Sequence, residues 1–147
     1  MRIRPFRPAD APAVTQLTEC CFENSIRPFY TETGALLFHT YVFPQQICER
    51  ASQGALLLVA EEEGCIIGVA ELRDGNHLSM FFTAPEFQNC GIGRKLLERL
   101  WKLAKKSIRR SGISPLTPPP EQWKPTGILV LKRPGRKWKS RACGMFL

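Results

Sequence analysis

The chain has 147 residues, 44% hydrophobic and 23% charged, enough for a single domain with its own core and too apolar for a disordered polypeptide. No apolar run reaches the roughly 18 residues of a membrane span, and the N-terminal MRIRPFRPAD lacks the apolar stretch of a signal peptide, so the expected compartment is the cytoplasm. The net charge of +8 belongs to one end: residues 1–105 hold 11 Lys and Arg against 12 Asp and Glu, whereas residues 106–147 hold 10 basic residues, one acidic residue and six of the 12 prolines. The sequence therefore divides into a near-neutral core, 1–105, and an atypical Pro-rich basic tail, 106–147.

In chain order, residues 3–6 suit a short first strand. Asp10 is placed to cap a helix over about 11–22, with Val14, Leu17 and Cys20 or Cys21 on one face. A second helical region is expected between Thr33 and Ser52, interrupted near Pro44. The run ALLLVAEE, from Ala55, reads as a strand buried on both faces. A polar turn at Glu62, Glu63 and Gly64 leads into CIIGVAEL, and Asp74-Gly75 is a hairpin signal before HLSMFFT. Residues 55–83 thus predict an antiparallel meander. Pro85 ends it, and Ile92, Leu96, Leu100 and Leu103 mark the apolar face of an amphipathic helix. Six scattered cysteines and two histidines show no metal-ligand spacing, so no metal is expected.

The chemistry is concentrated between the third meander strand and that helix, at Gln88-Asn89-Cys90-Gly91-Ile92-Gly93. Two glycines let a backbone approach a ligand closely, and the first amides of a helix lack intrahelical acceptors and lie at its positive end. Such a loop suits phosphate, with Arg94 adding charge. A bare G-x-G is weak by itself. Its setting adds more: FFTAPEFQNCGIGRKLLERLW resembles the Q/R-x-x-G-x-G/A signature of the GCN5-related N-acetyltransferases, with Gln88, Gly91 and Gly93 in its positions.

This resemblance, covering about residues 1–105, implies an α/β fold: a mixed, mainly antiparallel sheet flanked by helices. It implies acetyl transfer from acetyl-coenzyme A, as cosubstrate, to an amine on a small molecule or peptide. By analogy the pyrophosphate rests on Gln88, Asn89, Cys90, Gly91, Ile92, Gly93 and Arg94, and the pantetheine arm pairs with Phe81, Phe82 and Thr83. One of the two phenylalanines is expected to be plain core. A base must take the amine's proton, and Glu71 and His77 are the candidates, each weighed against an ordinary surface role.

The tail departs from that family. A fifth strand and a short helix carrying a general-acid tyrosine are expected after the long helix, yet the two tyrosines, Tyr30 and Tyr41, lie upstream. Shifting the reading frame of residues 113–131 permits a strand, a short helix with a tyrosine and a terminal Leu-Gly-Phe, so a frameshifted remainder of the same domain is the favoured account. A disordered basic arm holding nucleic acid is the rival, and a coenzyme A binder without transferase activity is a third reading. Nucleic acid is not the expected partner of the core, and the oligomeric state is open, a homodimer included.

Overall fold

The apolar run after Ala55 becomes an interior strand because it has apolar neighbours to meet on both sides. In the computed structural model, which describes residues 1–75 and 77–110 (108–110 as backbone only), it is β2, Leu56–Glu62. β1, Arg2–Pro5, lies on one side of it and β3, Cys65–Arg73, on the other. β4, His77–Thr83, follows β3, giving an antiparallel sheet in the order β1-β2-β3-β4. Four helices complete the described residues: α1, Ala11–Cys21; α2, Glu32–Tyr41; α3, Pro44–Ser52; and α4, Ile92–Arg110. The expected α/β architecture is present, with every described strand pair antiparallel.

Alternation along the strands sorts the core into two layers. Leu57, Val59, Val69 and Met80 meet Val14, Leu17 and Cys21 of α1, together with Val42 and Ile47. Leu58, Ala60, Ile67, Ala70 and Leu72 meet Ile92, Leu96, Leu100 and Ala104 of α4. The sequence pattern for α4 holds except at its end, where Ala104 is the fully buried residue and Leu103 packs at the margin. Close seating of α4 depends on Gly68 of β3, where a Cβ would already lie 3.1 Å from Leu96 and 3.4 Å from Ile92. Register shifts between Ala60 and Glu61 and between Glu71 and Leu72 break strict alternation in the sheet.

Two local features differ from the sequence expectation. Asp10 occupies the N-cap position of α1 but makes no side-chain cap there. Its carboxylate instead accepts from Arg4 Nη1 at 2.7 Å and Nη2 at 2.9 Å, and from the Arg7 amide at 2.8 Å. A guanidinium offering two parallel donors outcompetes the single amides of a helix start. Arg4 also donates to Glu61, so one arginine ties β1 to β2 and to the turn before α1. Second, the chain leaves α1 through a π-turn, Phe22–Ile26, and a short 3-10 turn, Arg27–Phe29. The helical region expected between Thr33 and Ser52 is interrupted at Pro44 as anticipated, giving α2 before it and α3 beginning at it. α4 runs on past Lys105 to Arg110, beyond the boundary that composition suggested.

The Arg4 hydrogen bonds hold the Asp10 carboxyl below its ordinary value of 3.8. A depressed carboxyl contributes stability that is complete above its unfolded-state value and is lost as pH falls through the folded-state value. Asp10→Asn should therefore lower stability by about 1–3 kcal/mol at pH 7, with the gap to the parent closing below about pH 4. Urea melts across that pH range measure it.

Candidate functional site

β4 ends at Thr83, Ala84 follows, and a 3-10 turn at Pro85–Phe87 carries the chain into the glycine loop. The Ala84 amide donates to the Ile67 carbonyl at 2.9 Å, which marks that pair as hydrogen-bonded. Antiparallel ladders alternate, so the pairs Gly68–Thr83 and Ala70–Phe81 are the ones whose backbone groups point away from β3. Among the described residues β4 is an edge strand. The polar backbone groups of Phe81 and Thr83 thus line one open rim. The Thr83 carbonyl on that rim accepts from Gln88 Nε2 at 3.2 Å and from the Cys21 thiol at 3.5 Å. Gln88 is therefore a clasp between loop and strand.

The loop itself turns through left-handed backbone. Asn89 has φ of 63° and Gly91 has φ of 76°, with open space where a Gly91 Cβ would stand. The Gly91 carbonyl accepts from the Lys95 amide at 3.1 Å, the first bond of α4. The amides of Ile92, Gly93 and Arg94 precede that bond and have no acceptor four residues back within the helix. Gly93 is packed tightly: a Cβ would lie 2.8 Å from Phe81 Cζ. The first turn of α4 is consequently pressed onto the ring of the strand residue whose backbone faces the rim. Ile92 is buried, whereas Asn89, Cys90, Gly91 and Arg94 are exposed. Arg94 turns toward Glu98, Nε to Oε1 at 2.9 Å.

Phe81 and Phe82 both serve as packing residues, on opposite layers. Phe81 joins the α4 side and Phe82 the α1 side, where it meets Phe38 edge-on at 6.0 Å between centroids. Phe38 stacks on Phe22 at 4.1 Å, and Tyr30 meets Phe22 edge-on at 5.2 Å. This aromatic wall comes from the π-turn after α1, the end of the 3-10 turn, α2 and β4. Sequence periodicity had no means of assembling it.

Glu71 is the surprise of the site. Its side chain has no solvent exposure. Its oxygens face Arg50, Nε–Oε1 at 2.7 Å and Nη2–Oε2 at 3.3 Å, with the Tyr41 hydroxyl 3.4 Å from Oε2. Arg50 further donates to the Tyr41 carbonyl at 2.8 Å and lies 3.8 Å from the Tyr41 ring centre. The expectation of an outward or solvent-accessible carboxylate at Glu71 is thus corrected: it is the buried end of a tie joining α2, α3 and β3. A charged residue inside the apolar run VAEL was the available signal, but its partner lies 21 positions upstream. His77 is exposed at the far end of β4, six residues and roughly 20 Å along the strand from Thr83. The structure does not bring His77 to the loop.

Cys21, missed as a site residue, is buried, and burial with Cys20 and Glu86 nearby pushes its thiol up to about 12, so it stays protonated as a donor. Cys90 is an exposed free thiol in the loop. Among the described residues no cluster of three His, Cys, Asp or Glu forms a metal-binding group, and no helix is long and apolar enough to cross a membrane. The frameshifted-remainder, basic-arm and missing-tyrosine readings concern residues beyond Arg110 and lie outside the described residues.

A strand edge, a glycine turn and a helix start in this order match a family model. Residues 26–113 fit the acetyltransferase (GNAT) domain. The chain belongs to the GNAT acetyltransferases. Among solved structures, it resembles PaiA N-acetyltransferase from Thermoplasma acidophilum in complex with coenzyme A, at 19% identity and a TM-score of 0.64 over 72% of each chain. It also resembles ribosomal-protein-alanine N-acetyltransferase from Brucella melitensis, at 29% identity and a TM-score of 0.55, covering 73% of this chain and 68% of that one. A GNAT family acetyltransferase from Brucella melitensis in complex with acetyl-CoA matches at 24% identity and a TM-score of 0.53, over 76% and 80% of the two chains. No curated protein matches the chain.

Two substitutions test this geometry. Gly93→Ala should destabilise the fold by about 1–3 kcal/mol through overpacking, and adding Phe81→Leu should recover part of the loss. Arg50→Met alone should cost about 3–5 kcal/mol by leaving Glu71 buried and unpaired, while Arg50→Met with Glu71→Gln should cost less than that single change. Thermal and urea unfolding measure both cycles.

Proposed function

We propose that the chain is an N-acetyltransferase that takes the acetyl group of acetyl-coenzyme A and passes it to an amine on a small molecule or peptide. The observation that carries this reading is the joining of two backbone surfaces: the unpartnered first-turn amides of α4 and the outward groups of Phe81 and Thr83. The diphosphate of coenzyme A suits the amides from Gly91 to Arg94, where the helix dipole favours negative charge and Gly91 leaves open space. Gln88, Asn89 and Cys90 supply the turn. The amide-bearing arm of coenzyme A suits the rim of β4 as an added strand would, with Gln88 and Cys21 keeping the Thr83 carbonyl in place. When bound, acetyl-coenzyme A supplies an activated thioester carbonyl. An amide donor fixed on the rim stabilises the charge that develops on that oxygen.

Proton removal from the amine is assigned differently from the sequence expectation. His77 is set aside by its place at the far end of β4. Glu71 has both oxygens facing Arg50 and no solvent exposure, so we assign it a positioning role: it holds α2 and α3 over β3, the strand paired with the rim strand β4. Proton transfer then passes to water at the open rim. This reading favours a small dependence of turnover on a side-chain base.

Isothermal titration of acetyl-coenzyme A is the deciding experiment. The parent chain should bind, and Gly91→Val should weaken binding at least about tenfold, because a β-branched residue is strained at φ of 76°. Far-UV dichroism should be unchanged, since nothing stands within 4 Å of the added Cβ. Release of free coenzyme A thiol in a screen of amine acceptors then measures turnover, with His77→Ala expected within about twofold of the parent. Failure of the parent to bind acetyl-coenzyme A would sink the reading.

A further inference from the structure

Apolar side chains left outside the core are gathered in one segment. Six large hydrophobic residues are exposed among those described, and all but Met1 fall between positions 29 and 43: Phe29 at 72%, Leu36 at 67%, Leu37 at 66%, Phe43 at 52%, and Tyr30. Single exposed apolar residues are ordinary, but five within 15 positions are a concentration of them around one helix. α2 organises it. Ala35 is buried and Phe38 packs inward on Phe22, while Thr33, Leu36, Leu37 and Thr40 are exposed.

We propose that this face is where two copies of the chain meet, packed about a twofold axis that lies between the two copies of α2 and passes beside Leu36 and Leu37. Charge is the first reason. Between residues 28 and 43 the sequence has one acidic residue, Glu32, which is bound by Arg27, and no lysine or arginine. His39 is turned toward Glu19 and Glu23, with its nitrogens at 3.5 and 3.4 Å from their carboxylates. Two identical copies carry identical charges, so a face with this little charge is one that they can bring together without like-charge repulsion. Its lack of charge also argues against a polyanion, which would need basic groups on the contact surface.

Shape is the second reason. Thr33–Leu37 and Leu36–Thr40 are ridges at i,i+4, the spacing that interdigitates between two helices, and a twofold axis between Leu36 and Leu37 sets each ridge against its own copy. Area is the third. Five side chains at these exposures present on the order of 500 Å² of largely apolar surface, and the threonine rim takes the face toward the about 800 Å² per partner of a standard interface. A centre without charge, ringed by hydroxyls, is the composition such interfaces have. Through Phe38, which meets Phe82 of β4, the dimer would also brace α2 against the strand that carries the rim.

Sedimentation velocity of the full chain from about 1 to about 100 µM, in about 0.5 M salt to screen the tail's charge, tests this. A concentration-dependent monomer–dimer equilibrium is expected. Leu36→Glu with Leu37→Glu brings four carboxylates to the axis and should raise the dissociation constant at least about tenfold. Leu36→Ala with Leu37→Ala should weaken it less, with no added charge. Both variants should keep the parent's far-UV dichroism, because the replaced side chains are exposed. A parent that stays monomeric throughout would overturn the proposal, as would variants that associate like the parent. Acetyl-coenzyme A titration of the monomeric variant separates this outcome from a failure of the enzymatic reading.

Discussion

The seating of the first turn of α4 on the sheet is the contact on which the rest of the site depends. Gly93 stands so near Phe81 that one methyl group would collide with the ring, and Gly68 admits Leu96 and Ile92 at the same interface. These two absences of a side chain set the height of the helix above β3 and β4. They also fix where the unpartnered amides of the helix start lie relative to the outward backbone of β4. Gln88 closes the arrangement by binding the Thr83 carbonyl, so strand end and helix start move as one unit. A site made of backbone groups can be built only in this way, because no rotamer change can correct a misplaced amide.

The opposite layer is held by a different kind of force. There the buried Glu71 and Arg50 face one another at ion-pair distance, with Tyr41 stacked against the guanidinium. Such a pair is weak as a source of stability, since each charge loses water, but it is selective about geometry: a slip of α3 along the sheet would strand both charges. Apolar contacts between α1 and the sheet tolerate small displacements, whereas this tie does not. The core on this side is therefore packed by hydrophobic residues and registered by one polar cluster. That division explains why a carboxylate that looks available in sequence is structural in three dimensions.

How much of this was legible follows from which interactions are local. The strand run at Leu56–Glu62, the meander and α4 were readable because their patterns repeat over a few residues. The glycine loop was readable because its spacing resembles a family signature that the fold and the family match agree with. Asp10 was assigned to a helix cap from its neighbours, and Arg4, six residues away across a turn, took it instead. Glu71 and Cys21 could not be placed from local pattern at all: their partners are Arg50, 21 positions away, and the Thr83 carbonyl, 62 positions away. His77 shows the converse. A histidine opening the strand that leads to the loop looks close in sequence, yet a strand carries its two ends apart by more than 3 Å per residue.

These contrasts bear on which parts of the structure can change independently. The end of β4 and the start of α4 are built from backbone and glycine, and a side chain added at Gly93 or Gly68 would disturb the seat of α4. The wall formed by Phe22, Tyr30, Phe38 and Phe82 is built from side chains on the π-turn after α1, the end of the 3-10 turn, α2 and β4. Exchanging one ring there alters shape and polarity without touching a backbone hydrogen bond. A π-turn adds to this freedom, since its extra residue swings the chain leaving α1 without shortening the helix that packs on Val69. The constraint that ties the glycine loop to backbone geometry is thus the same one that leaves the aromatic wall as the part of the core whose shape side-chain exchange can alter.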